Sequence, residues 1–259
     1  MAKVIVVANQ KGGVGKTTTT FNVADSLVAM GKKVLLIDFD SSANLSSCFD
    51  MEEEDGIELE IADILDDVME VEDLPDTSEY IHHANGIDFI ASSSRLSRLE
   101  VKLLVEAGTD TVLAKVVDNL RDSYDYILID TNPSLGILTT NALAASDEVL
   151  ITVCPEIFSL DGLMGLLTSI RKIKSRLNGK LEISGICMTR CDFRTTLYKD
   201  AKEDLVEFCS DKVRLFQSEI PQTVTVGNSQ RYRKSISKYS RRSKAGIAYQ
   251  NLAKELIAL

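Results

Sequence analysis

Two lysines five positions apart, Lys11 and Lys16, flank a glycine cluster in the stretch NQKGGVGKTTT from Asn9 to Thr19. Glycines at 12, 13 and 15 let backbone N–H groups curl around an anion with no Cβ in the way. An apolar run precedes the loop and a helical pattern follows it. The loop therefore opens a helix, whose N-terminus adds partial positive charge where a phosphate would sit. In that setting Lys16 reaches the β- and γ-phosphates of a nucleotide and the Thr17 hydroxyl holds Mg²⁺. Gly12, Gly13, Val14, Gly15 and Thr18 complete the cradle. Carboxylates stand at the tips of apolar runs nearby in pattern: Asp38 and Asp40 in LLIDFDSSANLSS, and Asp130 in YILIDTNPSLG. A buried carboxylate there is costly unless it meets a cation or a metal's water. Asp130 could equally cap the helix that follows.

The elements that must hold these groups are legible as periodicity. Continuous apolar runs at 3–8, 33–40, 124–130, 147–154 and 181–189 suit strands buried on both faces of a parallel sheet. Residues 213–220 read as a sixth strand and 86–92 as a seventh. Helical patterns lie at 95–107, 110–122, 134–145, 159–177, 195–209 and 245–258. In the helix after the glycine loop, Phe21, Ala24, Leu27 and Val28 share a face and Gly31 stands at its C-terminal end. Strands alternating with helices predict an α/β fold: a doubly wound, mostly parallel sheet with helices on both faces. Its ligand loops lie at the strand C-terminal ends. No repeat or Pro-rich linker divides residues 1–259, so one domain is expected.

Composition narrows the class. The chain has 259 residues, 44% hydrophobic and 26% charged, which is ordinary for a soluble globular protein. No apolar run reaches the roughly 18 residues of a membrane span. The opening MAKVIVVANQ reads as a first strand rather than a signal peptide. Five cysteines without a C-x-x-C read as reduced thiols in a cytoplasmic protein. His82 and His83, the chain's two histidines, read as surface residues. The net charge of −10 is unevenly placed. Residues 34–94 hold 18 of the 39 acids and no Lys or Arg; the remainder sums to +8. Within the acidic block, Ile57, Ile61, Ile64, Leu65 and Val68 recur at helical spacing, which predicts a helix with solvated acidic faces. Residues 220–254 contain eight bases and no acid. Arg231, Arg233, Lys234, Lys238, Arg241, Arg242 and Lys244, with Tyr232 and Tyr239 between them, form a candidate nucleic-acid surface.

The glycine loop departs from G-x-x-x-x-G-K-[ST]: Gln10 stands where the first glycine belongs, beside Lys11. The pattern K-G-G-x-G-K-T-T is the deviant Walker A motif, and the chain resembles the ParA/Soj partition ATPases, relatives of MinD, over nearly its whole length. The resemblance implies a P-loop NTPase that uses ATP and Mg²⁺ and forms an ATP-dependent homodimer. It also implies non-specific DNA binding and a ParB-like or other centromere-binding partner. Lys11 matches the family's signature lysine, which reaches the partner subunit's ATP. A cation given in trans offsets repulsion between two facing nucleotides and stabilises charge on the γ-phosphoryl. DFDSSAN resembles the family's D-x-D-P-Q-G-N, with Ser41, Ser42 and Ala43 in place of Pro, Gln and Gly. This implies that Asp40 activates the attacking water and that Asp38 lies by the metal's water shell. DTNPS resembles D-x-P-P-S, with Asn132 for the first proline, which implies that Asp130 holds Mg²⁺ through water. Slow intrinsic hydrolysis is expected from these altered loops. Thr189, Arg190, Pro221 and Gln222 correspond to the family's adenine loops. Relatives place an arginine important for DNA where this chain has Thr225.

A nucleoid-associated protein of the cytoplasm follows, serving a plasmid, a chromosome or a mobile element. The main alternative is a MinD-like membrane-cycling ATPase, which needs a C-terminal amphipathic helix; GIAYQNLAKELIAL reads instead as core packing. A non-hydrolysing ATP-binding regulator is the other. An iron–sulfur reductase relative lacks its placed cysteines, and a tyrosine-kinase relative its tyrosine-rich tail.

Overall fold

The computed structural model describes residues 1–49, 58–70, 74–210 and 213–259. Among these residues seven strands form one sheet: β1 (Lys3–Ala8), β2 (Val34–Phe39), β3 (His82–Ala84), β4 (Ile87–Ile90), β5 (Tyr126–Thr131), β6 (Glu148–Val153) and β7 (Glu182–Met188). Their order is β3-β4-β2-β5-β1-β6-β7. Every pairing is parallel except β3 with β4. The continuous apolar runs arise because both faces are covered: every residue of β2 and β5 is buried.

Side chains alternate between two cores with the period of two that a strand imposes. Val4, Val6, Leu35, Ile37, Ile127 and Ile129 face one, under helices α2 (Ile61–Glu70), α3 (Arg95–Val105), α4 (Val112–Leu120), α5 (Ile137–Ala145), α6 (Leu160–Arg176) and α7 (Thr196–Cys209). Ile5, Val7, Leu36 and Leu128 face the other, under α1 (Lys16–Val28), α9 (Ile236–Ser240) and α10 (Lys244–Ile257). Phe21, Ala24 and Leu27 of α1 are buried there, as their spacing predicts. Helix α8 (Val224–Arg231) precedes α9 in the basic segment. On α2, Ile61, Ile64, Leu65 and Val68 pack inward; Ile57 and the acids at 50–57 and 71–73 lie outside the described residues.

Two sequence expectations change. Residues 213–220 are not a strand. They run beside β7 and bond it only at intervals: Ile186 N donates to Arg214 O (2.8 Å), Phe216 N to Ile186 O (2.9 Å) and Ile220 N to Met188 O (2.8 Å). The amides of Gln217 and Ser218 instead donate to the Glu255 carboxylate of α10, each at 2.9 Å. That carboxylate interrupts the ladder. His82 and His83 form an edge strand that the pattern did not announce. His82 is buried with its ring stacked on Phe89 at 4.9 Å, whereas His83 is exposed and pairs with Asp88. The basic segment, for which the sequence announced no element, holds two short helices, α8 and α9.

Candidate functional site

The order reverses around β1, which lies between β5 and β6 with its loop opening between them. Such a switch point leaves a crevice at the strand C-terminal ends. The phosphate loop fills it. Gly13 and Gly15 have φ of 74° and 79°, the left-handed region that a side chain disfavours, and Gly15 is the N-cap of α1. A Cβ on Gly15 would also stand 3.4 Å from the Thr189 hydroxyl. Thr189 Oγ1 donates to Val14 O at 2.7 Å, and Arg190 Nη1 to Gly13 O at 2.9 Å. Thus the loop after β7 clamps the phosphate loop from outside.

Strand register brings the carboxylates together. Asp38 of β2 lies opposite Asp130 of β5, which also lies opposite Val7 of β1. All three of Asp38, Asp40 and Asp130 are buried. Burial lifts Asp38 to about 6, although Ser46 opposes this by donating both N–H and Oγ to Oδ2, each at 2.7 Å. Burial also raises Asp130, and the negative charge of Asp38 adds to it; the Thr17 hydroxyl and Lys16 pull the other way. Thr20 Oγ1 approaches Asp130 Oδ1 at 3.5 Å, while Asp130 Oδ2 has no hydrogen-bond partner among the described residues. Lys16 is buried, which lowers its pKa against the raising charges of Asp130 and Asp40. Its Nζ donates to Lys11 O at 3.4 Å. Asp130 caps no helix; the N-cap of α5 is Gly136.

A cleft of about 820 Å³ joins these groups. Gly12, Gly13, Gly15, Lys16, Thr17, Thr18 and Asp40 line it together with Thr189, Arg190, Pro221 and Gln222. All four late-loop candidates therefore share one cavity with the phosphate loop, and Thr189 and Arg190 touch that loop directly. The Arg190 guanidinium is turned back onto Gly13 and Glu156 rather than along the cleft. Lys11 is set apart: its Nζ donates to Ile157 O (2.7 Å) and Ser159 Oγ (3.0 Å) of its own chain.

Several contributors had no distinct sequence signal. Ser46 lies in a short 3-10 turn and orients Asp38; its Oγ accepts from Ser92 N at 3.0 Å, and Ser92 Oγ donates to Asp40 O at 3.0 Å. Val226, Gly227 and Gln230 of α8 line the cleft, as does Tyr249 of α10. Gln230 Nε2 donates to Thr18 Oγ1 at 2.9 Å, which ties the basic segment to the phosphate loop. Arg231, Arg233, Lys234, Lys238, Arg241, Arg242 and Lys244 are all exposed on this side. Lys238 is partly engaged, with Nζ donating to Asn85 O at 2.7 Å and lying 3.9 Å from Asp25.

Residues 2–183 match a family model described as an AAA domain. The sporulation initiation inhibitor protein Soj of Bacillus subtilis (strain 168) is 37% identical over 258 residues, covering 100% of this chain and 99% of that protein. The chromosome-partitioning ATPase Soj of Treponema pallidum (strain Nichols) is also 37% identical, covering 100% and 98%. Among solved structures, cobyrinic acid a,c-diamide synthase from Mycobacterium smegmatis with bound ATP analog and magnesium has a TM-score of 0.82 at 28% identity, over 99% of this chain and 95% of that one. The phosphate loop with its extra lysine, the paired strand-tip carboxylates and the 37% identity to the two Soj proteins over their full length agree: the chain belongs to the ParA/Soj family of partition ATPases, within the group that includes MinD.

Proposed function

We propose that this chain, as one domain over residues 1–259, is the ATP-driven switch of a DNA partition system. The observation that carries the reading is the β2–β5 register, which sets Asp38 beside Asp130 at the mouth of the phosphate loop. The donor set fits Mg²⁺. A buried carboxylate oxygen lacks a partner, its neighbours are a second carboxylate and the Thr17 hydroxyl, and all are hard oxygen ligands. Thr17, Asp38 and Asp130 would hold the ion, directly or through water. Bound Mg²⁺ supplies positive charge that neutralises the phosphates and the carboxylates together.

The chain's own groups do the rest. Backbone N–H groups of Gly12 to Thr18 and the Lys16 ammonium bind the phosphates. Thr189, Arg190, Pro221 and Gln222 enclose the base end. Asp40, held by the Ser42 amide at 2.9 Å and by Ser92 through its carbonyl, orients the attacking water and accepts its proton. Lys11 acts on the nucleotide of a second copy, so dimerisation follows ATP. The ATP dimer binds DNA without sequence preference through the 231–244 stripe, and a ParB-like or other centromere-binding protein stimulates its reset. The two Soj relatives, at 37% identity, favour partition over the synthase chemistry of the 28% neighbour. α10 does not favour the membrane-cycling alternative, because Ala245, Tyr249, Leu252, Ala253 and Leu256 are buried against the sheet.

The test is ATP turnover with and without DNA and the partner protein, alongside light scattering. Wild type should dimerise on ATP and turn over slowly alone. Lys16→Ala should lose nucleotide binding, while Asp40→Ala should dimerise without turnover. Equal dimerisation with and without nucleotide would sink the switch.

A further inference from the structure

Helix α1 begins at the phosphate loop and carries Thr18, Asn22 and Asp25 at the spacing that puts side chains on one helix face. All three hold the basic segment. Gln230 Nε2, in the last turn of α8, donates to Thr18 Oγ1 at 2.9 Å. Asn22 Oδ1 accepts from Ile236 N at 2.7 Å. Asp25 accepts from the Ser237 hydroxyl and lies 3.9 Å from Lys238 Nζ. Asn22 Nδ2 also donates to Thr18 O at 2.7 Å, which joins the two attachments along α1. Residues 231–235, with Arg231, Arg233 and Lys234, therefore bridge two moorings on one helix.

The two moorings differ in kind. At the far one Asn22, Asp25 and Ile236 are buried, and the attachment is fixed. At the near one Gln230 is exposed, and both Gln230 and Thr18 line the nucleotide cleft. A hydroxyl that accepts one hydrogen bond keeps its own hydrogen to give. A phosphate bound at the loop offers that hydrogen a charged acceptor. Giving it to an anion polarises the hydroxyl and makes its oxygen a stronger acceptor for Gln230. One hydroxyl thus stands between the nucleotide and the bridge.

We propose that Gln230 is a positioning residue: through Thr18 it ties the seating of residues 231–235 to the nucleotide, so that ATP orders this stretch of the basic stripe within one chain, before a second copy joins. The proposal rests on the reading of the stripe as a DNA surface. Coupling of this kind is reciprocal. The factor by which nucleotide favours the seated bridge is the factor by which the seated bridge favours nucleotide. It adds to the doubling of cations in a dimer and does not replace it.

Gln230→Met keeps the side chain's length and removes the donor, and the position is exposed, so the fold is not at stake. The amides of Tyr232, Arg233 and Lys234, which donate to Asn228 O, Gln230 O and Ser229 O, report the bridge by hydrogen exchange. In the dilute wild-type monomer a slowly hydrolysed ATP analogue should slow their exchange about threefold, the scale on which one hydrogen bond strengthens its neighbour. In Gln230→Met the analogue should leave their exchange unchanged, and analogue affinity should fall by the same factor. Thr18→Val tests the route: in that background Gln230→Met should have no further effect. Equal slowing in wild type and Gln230→Met, or a full effect of Gln230→Met on top of Thr18→Val, would overturn the proposal. With the analogue saturating, Gln230→Met should bind DNA more weakly than wild type at an unchanged salt slope, since no charge is lost. Equal DNA affinity in the two would overturn the positioning role. If the exchange responds as expected and neither protein binds DNA, the coupling of bridge to nucleotide stands and the DNA reading alone fails.

Discussion

Ala43 has φ of 52° in the loop that carries Asp40. The turn is closed around it: Ala43 N donates to Asp40 O at 3.0 Å, and Ala43 O accepts from Ser47 N at 3.0 Å and Ser47 Oγ at 2.8 Å. An L-residue in the left-handed region costs about 1 kcal/mol that glycine does not incur. Glycine in turn gives the unfolded chain more freedom, which offsets part of the gain. Ala43→Gly should therefore raise stability modestly, by about 0.5 kcal/mol, read as a higher denaturant midpoint. A loss near 1 kcal/mol, as for glycine in a helix, would show that the loop does not hold this conformation. The sequence marks position 43 as a departure from the family's glycine, but the sign of φ was not legible there. It is set by Ser47 and Asp40, whose bonds form only in the folded loop. The same holds for Asp38. Its place at a strand tip was legible, whereas its lift to about 6 depends on burial under residues distant in sequence.

Elements whose hydrophobic period agrees with their neighbours were legible almost to their ends; α6 falls within the range that periodicity assigns, and β5 runs one residue past its range, to Thr131. The failures are elements decided by one distant side chain. Residues 213–220 read as a strand in the sequence, yet Glu255 takes two of their amides. That carboxylate holds the strap whose continuation delivers Pro221 and Gln222 to the cleft. Glu255→Ala leaves both amides without an acceptor. One lies on buried Ser218, the other on exposed Gln217. Hydrogen bonds to charged groups contribute about 1.5–3 kcal/mol, and exposure reduces the Gln217 share. The expected loss is about 2 kcal/mol, with nucleotide affinity falling as the strap loosens; Glu255→Gln, which keeps an acceptor, should lose less. Unchanged denaturant midpoint and nucleotide affinity in Glu255→Ala would show that the strap is held by its β7 bonds alone.

Charge is segregated over the whole molecule. Three of the four described acids of α2 are answered from α3, where Arg95 bonds Asp63 and Lys102 bonds Asp66 (2.6 Å) and Glu70 (2.8 Å). The cations of 231–244 are exposed together at the far end of the chain. The segregation was legible because each block is contiguous; the contact of α8 with the cleft was not, because Gln230 and Thr18 are 212 positions apart. For a chain of net charge −10, DNA binding requires that local cations outweigh a repulsive whole. A dimer doubles the stripe on one assembly, so binding should appear with the ATP dimer and fade with salt. Each phosphate contact contributes a slope of about −0.9 in log affinity against log salt. Lys238 is partly occupied by Asn85 O and Asp25; if about three of the seven cations of each subunit touch phosphate, the slope for the dimer is near −5. Replacing Arg231, Lys234 and Arg242 together with alanine should cut that slope to less than half and weaken all DNA sequences alike. ATP-dependent dimerisation should persist, since none of the three lines the cleft. A salt titration of fluorescent DNA decides it. A triple variant that binds with the wild-type slope would move the DNA surface elsewhere on the molecule, and a slope near zero in the wild type would remove the electrostatic contact altogether.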